Sequence, residues 1–271
     1  MRRVLLAFTL ALSADRAADR AALLAADRGL THRTEAAALA ESAIYLYPGA
    51  PLLRGVTAIR TFLDTAASSS LTRVPLFADV SSDGTLGYTY GWMHAEGGQR
   101  AKYLACWRKS AAGWRIAASA RSNVMSVPDS VPLPSPRRSA MDEMFPGPAD
   151  STELLRADST FAALSRSQGA KTAFYTFASE DAIAFGGGPQ LTEGRDAIAA
   201  SFDGFPAGAV LEWWPLTAQI ARSGDLGCTV GEAMIASLHH YSKYLTIWRR
   251  QRDGSWKFVA DGGNPRPAPQ R

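Results

Sequence analysis

Two rhythms of apolar and polar residues alternate along this chain of 271 residues. One is helical. An alanine-rich or amphipathic stretch opens each half, and a second helix begins after Gly55 in the first half and after Gly194 in the second. Short β-rich runs at residues 43–47 and 182–185 predict a strand before each second helix. The other rhythm is that of strands: residues 73–80, 86–94, 102–109 and 114–119 are rich in β-branched and aromatic side chains, as are 212–220, 226–236, 241–250 and 256–261. Asp83-Gly84 and Asp253-Gly254 predict hairpin turns, because both residue types tolerate positive φ. Helices followed by a four-strand meander predict an α+β layer, with helices on one face of a curved four-stranded antiparallel sheet.

The two halves are copies. Leu23-Leu24 and Asp27 match Leu154-Leu155 and Asp158, and Glu41, Ala43 and Ile44 match Glu180, Ala182 and Ile183. Leu86-Gly87, Thr89 and Gly91 match Leu226-Gly227, Thr229 and Gly231. The strongest block sets Lys102-Tyr103-Leu104 and Trp107-Arg108 against Lys243-Tyr244-Leu245 and Trp248-Arg249. Partners are 131 residues apart at Leu23 and Leu154, 139 apart at Glu41 and Glu180, and 142 apart at Trp114 and Trp256. Chance similarity would scatter these spacings, so the ordered series identifies a tandem duplication. The step from 131 to 139 means that the first copy lacks eight residues after its opening helix, about two helical turns. The two copies therefore cannot hold identical pockets.

Six prolines between Ser126 and Ala149 forbid regular structure and mark a linker. Arg137-Arg138 within it reads as a solvated spot, and Met141 to Phe145 as a short helical turn. The chain divides into 15–125, a degenerate first domain; 126–149, the linker; 150–265, a second domain; and 266–271, a tail. Residues 1–14 combine a basic start, an apolar run and Leu12-Ser13-Ala14 in the manner of a secretory leader, the alternative being an extension of the first helix. The leader implies a periplasmic or secreted protein; without it the chain is cytoplasmic. Nine apolar residues are too few to span a bilayer, so integral membrane association is not expected.

The net charge of +4 arises from 29 basic and 25 acidic residues, and no basic segment interleaved with aromatics forms a nucleic-acid footprint. Cys106 and Cys228 sit in apolar strands at positions that do not correspond between the copies, which predicts two buried free thiols, the alternative in an exported chain being a disulfide between them. Neither has spaced partners for zinc, and no metal is expected.

The element order, the Tyr244-to-Arg250 strand, the Asp253-Gly254-Ser255-Trp256-Lys257 turn and the Asp261-Gly262-Gly263-Asn264-Pro265 exit resemble the SnoaL-like branch of the nuclear-transport-factor-2-like superfamily. The likeness covers 150–265 well and 15–122 less well, since Ser119 replaces Asp261 and the exit motif is lost. It implies two tandem cone-shaped domains, each enclosing a mostly apolar pocket. Related single domains pair through their sheets, so the resemblance also implies an intramolecular pseudo-dimer. Members include ketosteroid isomerase, polyketide cyclases, dehydratases and plain binding or association modules, so the fold does not set the function.

Carboxylates in an apolar cone are natural acid–base groups, because poor solvation raises their pKa. Asp261 is the first candidate, the alternative being a turn aspartate before Gly262-Gly263. Glu232 shares a strand stripe with Cys228, Val230 and Met234; it lines the pocket or pairs with Arg249 or Arg222. His239-His240 occupies a hairpin, and at most one of the two can face a pocket. Trp213, Trp248 and Tyr244 are core aromatics or the walls of a ligand site. The preferred reading is a second domain that binds a small apolar molecule, cyclic or open-chain, with Trp213, Trp248 and Glu232 at the ligand. One alternative is a cofactor-free isomerase, cyclase or dehydratase using Asp261 as base, with Tyr244 or His240 steadying an enolate. The other is a structural or association module.

Overall fold

The structure, a computed structural model, describes residues 2–65, 71–95, 98–126, 145–148 and 150–269; of 2–14, 32 and 33 it describes the backbone alone. Most of the linker, with Arg137-Arg138 and Met141, lies outside the described residues, as do the side chains of the leader-like segment. No helix among the described residues is long and apolar enough to cross a membrane.

The first half runs α1 (Arg2–Asp27), α2 (His32–Ala38), β1 (Leu39–Leu46), β2 (Leu53–Arg54) and α3 (Val56–Thr65), then β3 (Thr72–Val80), β4 (Leu86–His94), β5 (Gln99–Ser110), β6 (Gly113–Arg121) and β7 (Met125–Ser126). The second half repeats the order: α4 (Ser151–Gln168), α5 (Ala170–Phe177), β8 (Ala178–Ala184), β9 (Thr192–Glu193) and α6 (Arg195–Ala200). Its meander is β10 (Glu212–Ile220), β11 (Leu226–Ile235), β12 (His240–Arg250) and β13 (Trp256–Pro265). The strands lie in the order β2-β1-β6-β5-β4-β3 in one sheet and β9-β8-β13-β12-β11-β10 in the other, so the duplication is preserved in topology.

The four-strand meander is present in each half, but the sheets are larger than four strands. They hold seven and six, because β1 and β8 join as parallel neighbours of β6 and β13 and carry the short β2 and β9 with them, and in the first sheet β7 also pairs with β5. These additions are non-local, which a reading of consecutive hairpins does not reach. The exit motif is also strand: β13 runs on through Gly262 and Gly263, in register with Leu245 and Tyr244.

Each sheet is covered on both faces. Helix-side layers gather around Leu23, Ile59 and Trp107 in one half and around Leu154, Phe161 and Trp248 in the other. A third cluster contains Tyr88, Leu104 and Cys106 of the first sheet together with Cys228, Leu245 and Ile247 of the second. Alternation along β12 assigns the faces: Leu245 and Ile247 enter the layer shared by the two sheets, while Tyr244 and Trp248 point towards α4 and α5. Double-sided burial explains why β4 is buried along nearly its whole length instead of at every second residue.

The shared layer corrects the cysteine expectation. Cys106 and Cys228 form a disulfide, their Cα atoms 6.6 Å apart. Their non-equivalent positions in the repeat do not prevent the bond, because it joins different strands of facing sheets. Polar contacts also cross between the halves in reciprocal fashion. The Lys102 ammonium donates to the carbonyls of Phe185, Gly186, Gly188 and Gln190. Its counterpart Lys243 donates to Tyr47 O and Pro265 O, both at 2.9 Å. Asn264 adds bonds to Leu46 O and Arg121 O at 2.7 and 2.8 Å. These carbonyls supply the partners that buried ammonium and amide groups require.

Candidate functional site

The repeat motif builds one polar frame twice. On the first helix of each copy an aspartate, Asp27 or Asp158, reaches a tyrosine on the third meander strand, Tyr103 on β5 or Tyr244 on β12, whose hydroxyl donates to it. Beside it, the indole of Trp107 donates to Thr89, and that of Trp248 to Thr229, each at 2.8 Å. The glycines of the motif make room: a Cβ on Gly231 would lie 2.4 Å from the Tyr244 hydroxyl, and one on Gly227 would lie 2.5 Å from the Leu154 side chain.

The copies diverge where the eight residues differ. α1 stops at Asp27, and residues 29–31 then run against β3, with Gly29 N donating to Arg73 O and Arg73 N to Leu30 O. α4 instead continues past Asp158 to Gln168 and brings Phe161 and Ser165 over the sheet. Phe161 contacts the rings of Phe174, Trp213 and Phe258 at 4.5–5.6 Å. Arg73 fills the first frame, whereas its counterpart Trp213 stands at the edge of a cavity of about 380 Å³ in the second.

Phe161, Phe174, Leu211 and Trp213 form the apolar side of this cavity, and Tyr244, Thr246 and Asp261 rise from its floor. Ser122, Asn123 and Met125 of the first half form part of its mouth, so one copy completes the pocket of the other. Asp158 is 1% exposed and accepts from Trp213 Nε1 at 2.9 Å and Tyr244 Oη at 3.0 Å. Loss of solvation outweighs these bonds and pushes its carboxyl up to about 6. Asp261 is partly buried and accepts from Thr246 Oγ1 at 2.6 Å. Desolvation, followed by the nearby charge of Asp158, raises it to about 6 despite the Thr246 bond. Burial likewise raises the Tyr244 hydroxyl well above its usual value, with Asp158 adding to the effect. Lys102 and Lys243 border the same cavity, and desolvation lowers them to about 8 and about 7.

Of the residues singled out from sequence, Asp261, Tyr244 and Trp213 come together. Asp261 does not cap a turn; it lies within β13, and its carboxylate bonds Thr246 across the strand pair. His240 borders the cavity from an exposed position, and His239, with φ 49°, closes a short 3-10 turn outside it. Trp248 does not line the cavity: it is fully buried, bonded to Thr229 and enclosed by Phe161, Phe177 and Phe258. Glu232 is also absent from the lining. Its stripe faces the other sheet, and it pairs with Arg266 at 3.1 Å, a different arginine from either one expected. Asp158, Phe161 and Phe174 were missed. The signal for Asp158 lay in its match to Asp27, since an aspartate kept in both copies on an apolar helix face calls for a buried partner.

No protein-family model and no curated protein sequence matches the chain. The solved structures similar to it are NTF2-like proteins. An NTF2-like protein with a cystatin-like fold from Novosphingobium aromaticivorans is 22% identical, the match covering 42% of this chain and 80% of that one, with a TM-score of 0.35. An NTF2-like protein of unknown function from Pseudomonas putida is 15% identical over 42% of this chain and 84% of its own, with a TM-score of 0.36. A ketosteroid isomerase-like protein from Erwinia carotovora is 13% identical over 42% and 94%, with a TM-score of 0.34. Function must come from the pocket, since one architecture hosts many chemistries.

Proposed function

We propose that the second half binds a small molecule with a compact apolar body, and that the first half serves as its built-in partner in an intramolecular pseudo-dimer. On this proposal residues 15–125 and 150–265 are the two domains and 126–149 the linker. The observation that carries the binding reading is the cavity itself: aromatic walls on one side and, beside Tyr244 on the other, the Asp261 carboxyl raised to about 6, with the buried Asp158 bonded behind the tyrosine hydroxyl. The shared apolar layer, the disulfide and the reciprocal lysines support the pseudo-dimer.

A second reading is favoured by Asp261 in particular. A partly buried carboxyl titrating near 6, beside a tyrosine hydroxyl, suits cofactor-free proton transfer at a carbon next to a carbonyl. In that role Asp261 takes the proton, and the Tyr244 hydroxyl, which donates to Asp158 in the resting site, turns to the developing oxyanion once Asp158 is protonated and donates to Tyr244 Oη in its place.

One experiment separates the readings. The intact chain is incubated with 2-tetralone, a small cyclic ketone, in D2O, with binding followed by ligand-observed NMR and exchange by loss of the α-proton signal. Saturable binding that Trp213→Ala weakens about tenfold or more is expected for a ligand resting on that ring. Exchange above the buffer rate that Asp261→Asn abolishes supports catalysis. Binding without exchange leaves the protein a binder, and neither effect refutes the pocket.

A further inference from the structure

The first half shows how this polar frame accommodates a cation. Arg73 on β3 occupies the register position of Trp213 on β10, as their pairing with Met93 and Ala233 shows. Its Nη1 donates to Asp27 Oδ1 at 3.0 Å, where Trp213 Nε1 reaches Asp158 Oδ1 at 2.9 Å. Its Nη2 donates to Ser119 Oγ at 2.7 Å and to Glu35. The guanidinium lies over the Tyr103 ring, 4.4 Å from its centroid. One side chain thus supplies a positive head held by an aspartate, by the residue at position 119 and by a tyrosine face.

The second half keeps the aspartate and the tyrosine, has Phe174 where the 139-residue spacing of the repeat puts the counterpart of Glu35, and removes the cation. Asp158 and Tyr244 stand where Asp27 and Tyr103 do, and Ser119 becomes Asp261, a stronger acceptor aimed at the same spot. Asp261 Oδ1 takes the Thr246 hydroxyl, and no hydrogen bond to Oδ2 is formed among the described residues. Trp213 and Tyr244 offer ring faces. The positive groups that border the cavity are already engaged: the Lys243 ammonium bonds Tyr47 O and Pro265 O. Lys102 is held by four carbonyls of the segment between β8 and β9. His240 sits exposed at the mouth.

We propose that the second pocket takes a small organic cation, an amine, amidine or guanidine on an aromatic or aliphatic body. The head sits against Asp261 over Tyr244, where the Nη2 end of the Arg73 guanidinium meets Ser119 in the first half, and the body lies along Trp213, Phe161 and Phe174. The proposal rests on the binding reading above and names its ligand class. Charge-assisted hydrogen bonding and cation–π contact in a partly dry chamber supply the selectivity.

The test uses the full-length, disulfide-bonded chain and three probes of one shape, benzamidine, benzamide and benzoate, compared by titration calorimetry at low salt. Benzamidine is expected to bind about tenfold or more tightly than benzamide. Asp261→Asn should erase that preference, bringing benzamidine down to the affinity of benzamide. Asp261→Ser, which installs the first half's residue, is the second variant should the amide perturb β13. Benzamide binding as tightly as benzamidine, or benzoate binding best at the lysine side of the mouth, overturns the cation proposal and leaves the pocket standing. Absence of binding by all three overturns both. A benzamidine preference that persists in both Asp261 variants also overturns the proposal, since the selectivity would then come from another group.

Discussion

Replacing Asp158 by asparagine should stabilise the protein at neutral pH, although it alters a fully buried side chain that accepts hydrogen bonds from Thr229, Trp213 and Tyr244. The carboxyl titrates near 6 in the folded chain and near about 3.9 once unfolded, a difference worth about 3 kcal/mol. Its sign follows from the protons held. Between about pH 4 and pH 6 the folded state keeps a proton that the unfolded chain has released, so stability falls as pH rises through this window and levels off above it. Asparagine has no such charge. Its oxygen still accepts from the Trp213 indole, and the Tyr244 hydroxyl can rotate to accept from its amide. Wild type and Asp158→Asn should thus be nearly equal near pH 4, and the variant should lead by up to about 3 kcal/mol at pH 8. The Asp158 charge also raises Asp261, so the two titrate as a pair and the variant should lower the apparent pKa of Asp261. Urea unfolding of both proteins from pH 4 to 8, with the disulfide intact, measures the difference, and carboxyl carbon NMR follows Asp261. A gap independent of pH, or one that favours the wild type as pH rises, would refute the desolvation argument.

The two remaining predictions concern the frame around the site. Alkylation of the denatured, unreduced chain should add no mass at Cys106 or Cys228, and reduction should free both; the bond spans 122 residues, so its loss should cost about 4–5 kcal/mol by the chain-entropy model, and two reactive thiols before reduction would show that the sheets do not face each other as described. Arg73→Met leaves Asp27 and Glu35 buried without their counter-charge and should cost about 3–5 kcal/mol; adding Glu35→Gln should recover part of it, and a loss under about 1 kcal/mol would show that Arg73 does not neutralise the first frame.

Much of the architecture was legible in the chain alone. The repeat appears as an ordered series of matches, and its spacing located the eight residues that separate the copies. The structure gives that number a role, because the extra turns of α4 carry Phe161 and Ser165 over the second pocket while α1 ends at Asp27. Meander strands and Asp-Gly turns were also readable, since they depend on neighbours along the chain. Asp261, Tyr244 and Trp213 were found as candidates because a carboxylate and aromatics on strands are chemically conspicuous.

What only the tertiary structure decided depends on contacts between distant segments. Alternation along β12 separates Tyr244 from Leu245, but only the second sheet lying against the first shows which face meets the helices. The same fact moves Glu232 out of the pocket and joins two cysteines that the repeat gave no reason to pair. Trp248 and Trp213 look alike in sequence, yet one is enclosed by the rings of Phe161, Phe177 and Phe258 and the other borders a cavity beside Phe161 and Phe174. Asp27 and Asp158 match in the sequence, but Arg73 satisfies one and an indole the other, so the same aspartate is neutralised in one half and raised to about 6 in the other. Charge compensation inside a protein is set by which side chains share a small dry volume, and that follows from packing rather than from order along the chain.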